Sequence, residues 1–230
     1  MSTPMNSRLV EDYTSIIWKA HELPGQGPST GDLAEQLGVT APTVSANLKK
    51  LSRDGFIDYR PYGAITLTPA GTQIAIGVVR RHRILETYLV RALGLTWDQV
   101  HEEAHRLEHA LSDLVLAKMD AALGHPSHDP HGDPIPTAEG TVAVDSSIPL
   151  LDVAQEVTVR VARVSDRSDE LLRYLAGHGL QVGTELTLVS ANPIAGTVSV
   201  RIDDRSVELG LSAADAVRVL PVHPHQGDGA

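Results

Sequence analysis

The stretch His101-Glu102-Glu103-Ala104-His105-Arg106-Leu107-Glu108-His109 carries the strongest chemical signal in this sequence. His101, His105, Glu108 and His109 fall at i, i+4, i+7 and i+8, so one α-helix would project all four from a single face. Upstream, His82 and Glu86 make another i, i+4 pair. Imidazoles and carboxylates in this mixture suit a divalent first-row transition ion, from manganese to zinc. Charged helix faces are often only solvated, but three histidines and a glutamate on one stripe exceed that expectation. The segment His101–His105 is also a literal H-E-x-x-H, in which two histidines bind zinc and the glutamate activates water, so a zinc-dependent hydrolase is the alternative reading. Against it, no β-sheet catalytic domain with a substrate cleft is legible, and Glu108-His109 extends the stripe beyond what a protease requires. His125, His128 and His131 lie among Pro126 and Pro130, which break any helix, and are read as solvated linker.

The elements that would position these groups follow from periodicity. Residues 7–22 read as a helix with Leu9, Val10, Tyr13, Ile16, Ile17 and Ala20 at helical spacing. Leu23-Pro24-Gly25-Gln26-Gly27-Pro28 breaks it. A short helix over 30–37, capped by Ser29 or Thr30, ends at Gly38. A second follows, with Thr40 as cap and Pro42 in the first turn. Phe56–Tyr59 and Ala64–Leu67 alternate like two strands around Arg60-Pro61-Tyr62-Gly63. Helices are expected over 69–93 and, from a Thr96/Gln99 capping box, to about Leu123. Residues 124–150 read as a linker. Beyond them come short β-rich runs, Val157–Val164, Glu185–Val189, Thr197–Ile202 and Val217–Leu220, with one helical stretch at Asp169–Ala176. The end of the chain, 223–230, reads as a disordered tail.

Two short helices joined at Gly38-Val39-Thr40 and followed by a β-ribbon make a winged helix-turn-helix, whose second helix enters the major groove of duplex DNA. Its early exposed residues Thr40, Pro42, Thr43, Ser45 and Ala46 offer hydroxyls and methyls instead of Arg or Asn forks, so shape and phosphate contacts are expected to carry much of the specificity. Lys49, Lys50, Arg53 and Arg60 are the cations for phosphates. The net charge of −10 opposes DNA binding as a whole-molecule average, which leaves the question of where the charges sit. A metal-storage role without DNA is disfavoured by the winged helix. With no cysteine there is no disulfide framework, thiolate metal site or thiol catalysis. No apolar run is long enough for a membrane span and no signal peptide is legible, so a cytoplasmic protein is expected. Ile74, Ile76, Val78, Val79, Leu85 and Leu89 give the long helix more apolar surface than its own core needs, and homodimerisation is expected between the long helices at 69–93 and 96–123.

With both elements in hand, the sequence resembles the diphtheria toxin repressor family of iron- and manganese-dependent regulators. The residues that carry the resemblance are Ala41-Pro42-Thr43-Val44-Ser45, Arg60 to Gly71, Arg81-His82-Arg83 with Glu86, Val100 to Asp113, Gly132-Asp133-Pro134-Ile135-Pro136, and Val182-Gly183-Thr184-Glu185. The resemblance implies a mostly α fold with β: a winged helix-turn-helix domain (1–72), a helical metal-binding and dimerisation domain (73–123), the linker, and an SH3-like β-barrel (151–222). It implies a repressor, not an enzyme, that takes no small-molecule substrate and binds palindromic operator DNA as a dimer to control metal-uptake genes. It also implies two metal sites per chain. The primary one matches Asp12, His105, Glu108 and His109; the ancillary one matches His82, Glu86 and His101, completed from the third domain by Asp166, Asp169 or Glu170. Iron-type members of that family have methionine where this chain has Asp12 and cysteine where it has His105. Replacing both sulfur ligands by oxygen and nitrogen favours Mn2+ over Fe2+. Manganese-type members without a third domain have a glutamate where this chain has Ser15, so their paired-metal arrangement is not expected here.

Overall fold

The computed structural model describes residues 7–22, 27–60, 63–166 and 168–222. The chain divides into two compact units. The first gathers the chain up to His82 with Leu107–Leu116 and Pro136–Val142; the second gathers Arg83–Arg106, Ala117–Ile135 and the chain from Ala143 onward.

In the first unit, α1 (Ser7–His21), α2 (Thr30–Gln36) and α3 (Ala41–Arg53) precede a ribbon of β1 (Ile57–Tyr59) and β2 (Ile65–Leu67). Ser29 caps α2 in a reciprocal box with Asp32, and Thr40 caps α3, with Pro42 in its first turn. Gly38, at φ +61°, turns the chain between them, a conformation that costs glycine nothing. The apolar stripes converge: Val10, Tyr13 and Ile17 of α1 pack with Leu33, Val44, Leu48 and Leu51, closed by Ile57 and Ile65 of the ribbon. The long helix α4 (Pro69–Leu93) begins against the ribbon. A Cβ on Gly71 would lie 2.0 Å from the Phe56 carbonyl oxygen, so only glycine permits that approach. The expected turn at Leu23–Gln26 and the wing residues Pro61 and Tyr62 lie outside the described residues, as does the expected tail.

Beyond α4, α5 (Val100–Leu107) and α6 (Asp113–Ala122) stand where one helix to Leu123 was expected, and the turn between them belongs to the first unit. The break has a local cause. Ser112 accepts the Val115 amide and starts a new helix at Asp113, while Ala110 donates back to Leu107 in a tightened turn. Gln99 accepts the Thr96 amide, but the helix begins only at Val100. The sheet follows as an antiparallel series in the order β3-β8-β4-β5-β6-β7: β3 (Ile148–Pro149), β4 (Thr158–Val164), β5 (Glu185–Asn192), β6 (Thr197–Ile202), β7 (Arg205–Gly210) and β8 (Val217–Pro221). Helices α7 (Asp169–Gly177) and α8 (Leu211–Asp215) interrupt it. Its core is dense with Val159, Val161, Leu186, Leu188, Val198, Val200 and Leu209, and Trp97 joins it.

Residues 127–135 are a built loop, not the solvated linker expected from composition. Ile135 donates to Ser127, Asp129 to Asp133, and Gly132 to Asp129. The loop then docks on β4, where the Val164 amide donates to the His131 carbonyl at 2.9 Å. This occurs beside a register shift between Val161 and Arg163. Gly132 sits at φ +87°, and a Cβ there would lie 1.9 Å from the Ala162 carbonyl oxygen. His131 is 0% exposed, which corrects its reading as a solvated histidine. His125 and His128 remain exposed.

Candidate metal centres and nucleic-acid interface

The first centre is built on α1 and on the turn after α5, both within the first unit. Helix α1 presents the adjacent carboxylates Glu11 and Asp12. His109 stands between them: its Nδ1 is 2.6 Å from Glu11 Oε2, and its Nε2 is 2.9 Å from Asp12 Oδ1 and 3.3 Å from Glu108 Oε1. Glu108 is buried, and its other oxygen meets His82 Nδ1 at 2.7 Å. Around an octahedral ion with bonds of about 2.1 Å, neighbouring ligand atoms sit roughly 3.0 Å apart. The spacings from His109 Nε2 to Asp12 and Glu108 match such edges, so these residues fit a divalent ion. His105 is exposed in the last turn of α5, one turn before Glu108 and His109. Glu108 and His109 themselves lie in the turn beyond α5, so the four-residue stripe expected on one helix face is shorter than its spacing suggested.

The sequence pattern did not single out Glu11. Arg81 reaches it at 3.6 Å, so this carboxylate is held from two sides. No spacing rule links residue 11 to residue 109; only the packing of α1 does. His82, expected among the ancillary ligands, presents Nδ1 to Glu108, and it lies one helical turn before Glu86 on α4.

The second centre lies in the second unit. His101 Nδ1 is 3.3 Å from Glu86 Oε1 and 3.2 Å from Asp166 Oδ2, again octahedral-edge spacings. Of the three third-domain carboxylates expected to complete this site, Asp166 is the one brought to His101. Asp169 and Glu170 instead form the first turn of α7, which Ser168 caps, and neither belongs to a metal-ligating cluster among the described residues. A further group shares Glu86: ligand atoms of Glu86, Asp129 and His131 lie within 4.8 Å of one another, all three residues buried. The His131 Nε2 meets the Trp97 carbonyl at 2.7 Å, and Nδ1 lies 3.8 Å from Glu86 Oε2, a charge pairing instead of a hydrogen bond. Burial alone would lower the His131 pKa. The carboxylate of Glu86, with Asp129 and Asp166 adding their charge, overrides this and pushes it up to about 10. Burial, with Asp133 and Glu86 nearby, pushes the Asp129 carboxyl well above its usual range despite Arg83. Arg83, 1% exposed, donates to the Pro134 carbonyl and to Asp133, and Asp133 also pairs with Arg163. The loop at 127–135 therefore brings two acids and a histidine that composition alone assigned to a linker.

The nucleic-acid candidates lie on α3, at its cap Thr40 and at Arg60 just after β1. Thr40, Pro42, Thr43 and Ala46 are exposed and Ser45 is half-buried. The Thr40 and Thr43 hydroxyls are 2.9 Å apart and satisfy each other at the helix start. Lys49, Arg53 and Arg60 are exposed, with Arg53 paired to Asp54 at 3.0 Å; Lys50 is half-buried. Asn47 of α3 donates to the Tyr13 hydroxyl at 3.0 Å. Burial raises the Tyr13 pKa, partly offset by that hydrogen bond, with Asp12 adding to the rise. The helix that carries Asp12 is thus tied to the helix that would read DNA.

Family comparisons cover almost the whole chain. Residues 5–65 match an iron dependent repressor, N-terminal DNA binding domain; residues 68–137 match an iron dependent repressor, metal binding and dimerisation domain; residues 148–221 match a FeoA domain. A diphtheria toxin repressor of Corynebacterium efficiens is 30% identical over 226 residues, covering 93% of this chain and 97% of the relative. An iron-dependent repressor IdeR of Mycobacterium tuberculosis is 37% identical over 126 residues, 55% of this chain and 54% of the relative. Among solved structures, a manganese-dependent transcriptional repressor in complex with manganese is 44% identical, with a TM-score of 0.88, over 93% of this chain and 100% of that one. The structure of the manganese regulator SloR is 31% identical, with a TM-score of 0.79, over 96% of this chain and 100% of that one. The hydrolase alternative finds no support in these relatives, and Glu102, its water-activating candidate, is an exposed residue 3.6 Å from Arg106. Winged helix, helical metal-binding domain and SH3-like sheet thus occur here in one order, and the chain belongs to the diphtheria toxin repressor family of metal-dependent transcriptional repressors.

Proposed function

We propose that this repressor responds to Mn2+, with Fe2+ as the alternative, through two sites per chain, and that it binds palindromic operator DNA of metal-uptake genes as a homodimer. The primary set is Asp12, His105, Glu108 and His109; the ancillary set is His82, Glu86, His101 and Asp166. The observation that carries the reading is the position of His109 Nε2, 2.9 Å from Asp12 on α1 and 3.3 Å from Glu108 beyond α5. Oxygen and nitrogen donors with no sulfur favour manganese.

A bound divalent ion would supply the positive charge that offsets repulsion among Glu11, Asp12 and Glu108. Asp12 and Glu108 hold the two elements at a fixed spacing. Tyr13, next to Asp12 and 3% exposed, seats α1 in the same apolar core as Leu48 and Leu51 of α3 and receives the Asn47 hydrogen bond. Fixing α1 therefore fixes α3, and in a dimer it fixes the spacing of two recognition helices, for which half-sites one helical turn apart require about 34 Å. Moving a population from 1:99 to 99:1 needs roughly 5.5 kcal/mol of preference for the DNA-competent state.

The test is fluorescence anisotropy on a pool of palindromic duplexes, titrated with Mn2+, Fe2+, Co2+ and Zn2+. Tight, sequence-selective binding with Mn2+ that a chelator reverses is expected. DNA binding unchanged by any of these ions would overturn the reading.

A further inference from the structure

We propose that Glu11 is a positioning residue: it fixes the tautomer and orientation of His109, so that Nε2 and not Nδ1 faces the metal. The inference rests on the reading that Asp12, Glu108 and His109 hold a divalent ion. A neutral imidazole has one N–H and one lone pair, and a ligating histidine uses the lone pair, so the proton must be held on the other nitrogen. Here the two ring nitrogens face different surroundings. Nδ1 meets a carboxylate oxygen, Glu11 Oε2, at 2.6 Å, a contact in which the nitrogen can only donate. Nε2 faces Asp12 and Glu108 together, at 2.9 and 3.3 Å.

Glu11 and Asp12 are neighbours on α1, so their side chains leave the helix about 100° apart and take opposite edges of the same ring. The extra methylene of Glu11 lets it reach the far nitrogen. Glu11 is itself held, since Arg81 on α4 lies 3.6 Å from the same Oε2. The Arg81 and His109 side chains are 20% and 11% exposed, which limits competition from water. The result is a chain of guanidinium, carboxylate and imidazole that ends at a nitrogen aimed between two further carboxylates. Partners of this kind typically change metal affinity by about 10- to 100-fold when removed.

The experiment uses the full chain, purified metal-free. Mn2+ affinity is measured by calorimetry for the unaltered protein, Glu11→Ala and Glu11→Gln, with thermal melts as a folding control. The tautomer of His109 is read from its ring 15N shifts in protein loaded with diamagnetic Zn2+. Expected results are one high-affinity Mn2+ event in the unaltered protein with the Nδ1–H tautomer. Glu11→Ala is expected to weaken that event by about 10- to 100-fold and to mix the tautomers. Glu11→Gln keeps an acceptor oxygen and is expected to lose only a few-fold, with the tautomer retained; it carries the test if the alanine variant fails to fold. Unchanged affinity and tautomer in both variants would overturn the role of Glu11. Equal, large losses in both with the tautomer intact would make Glu11 a direct ligand and also overturn it. Failure of the unaltered protein to bind Mn2+ would instead overturn the metal reading on which the proposal stands.

Discussion

At the scale of single residues, Asp12 has the most to lose. It is the one residue of the proposed primary set contributed by α1, and its Oδ1 is 2.9 Å from His109 Nε2. Asp12→Ala is expected to abolish the Mn2+ stimulation of operator binding, a drop of about 5- to 150-fold, since a coupling of this kind is worth roughly 1–3 kcal/mol. The dimer should persist, as checked by sedimentation velocity; metal-stimulated binding retained in this variant would sink the coupling. His131 makes a different expectation. Its pKa in the fold is raised from 6.5 to about 10, so the charged ring is what the fold favours. The stability it contributes is fully present below about pH 6.5, shrinks above it, and is lost as pH passes about 10. In chelator, the melting temperature of the unaltered protein should therefore fall between pH 6.5 and 10 more steeply than that of His131→Gln; parallel curves would refute the pairing with Glu86. Most residues of the proposed sites stood out in the sequence because their pattern is local: His101, His105, Glu108 and His109, and His82 with Glu86, recur at helical spacing. Glu11 and Asp129 did not, because their roles arise from packing between segments far apart in the chain. His131 was masked by Pro130 and Gly132, which read as linker composition although the segment is buried.

At the scale of elements, α4 was legible to its bounds because Thr68-Pro69 and Gly94 punctuate a long periodic run. The helix expected to reach Leu123 was not, because its apolar spacing continues past a break that only the Ser112-Asp113 cap announces. The strand β7 went unread, since Val207 and Leu209 are the only apolar positions of Arg205–Gly210, too few to announce the strand that pairs with β6. Of the apolar residues that suggested a dimer, Val78, Val79, Leu85 and Leu89 are buried within the chain, while Ile74 and Ile76 are half-buried. The larger exposed apolar side chains of the helical region are Leu93, Leu107, Leu114 and Val115. The loop at 127–135 depends on one position. Gly132→Ala would place a methyl group 1.9 Å from a backbone oxygen at φ +87°, and neither backbone can yield cheaply. A loss of about 2–4 kcal/mol is expected by denaturant titration; a loss below about 0.5 kcal/mol, the scale of an ordinary surface substitution, would show that the loop does not need its docked form.

At the scale of the whole molecule, the net charge of −10 and a DNA-binding role are reconciled by placement. Lys49, Lys50, Arg53 and Arg60 gather on α3 and just after β1, whereas Glu11, Asp12, Glu86, Glu108 and Asp166 crowd the positions proposed to hold metal. Each phosphate contact contributes about 0.9 to the slope of log affinity against log salt. Lys49→Ala with Lys50→Ala is therefore expected to flatten that slope by up to about 1.8 while weakening all sequences alike. A loss confined to one operator sequence would instead assign these lysines to base reading. The docked loop has a last consequence, for how the chain can be cut. Residues 137–146 are largely exposed, with Val144 93% exposed, and are where a protease would enter. Yet the segment just before that entry point is held to β4 by the His131 carbonyl and the Asp133–Arg163 pair. A nicked chain should thus give two bands on a denaturing gel and a single peak on gel filtration. A barrel expressed from residue 147 onward would begin life with the Val164 amide and the Arg163 guanidinium stripped of partners they have in the intact protein.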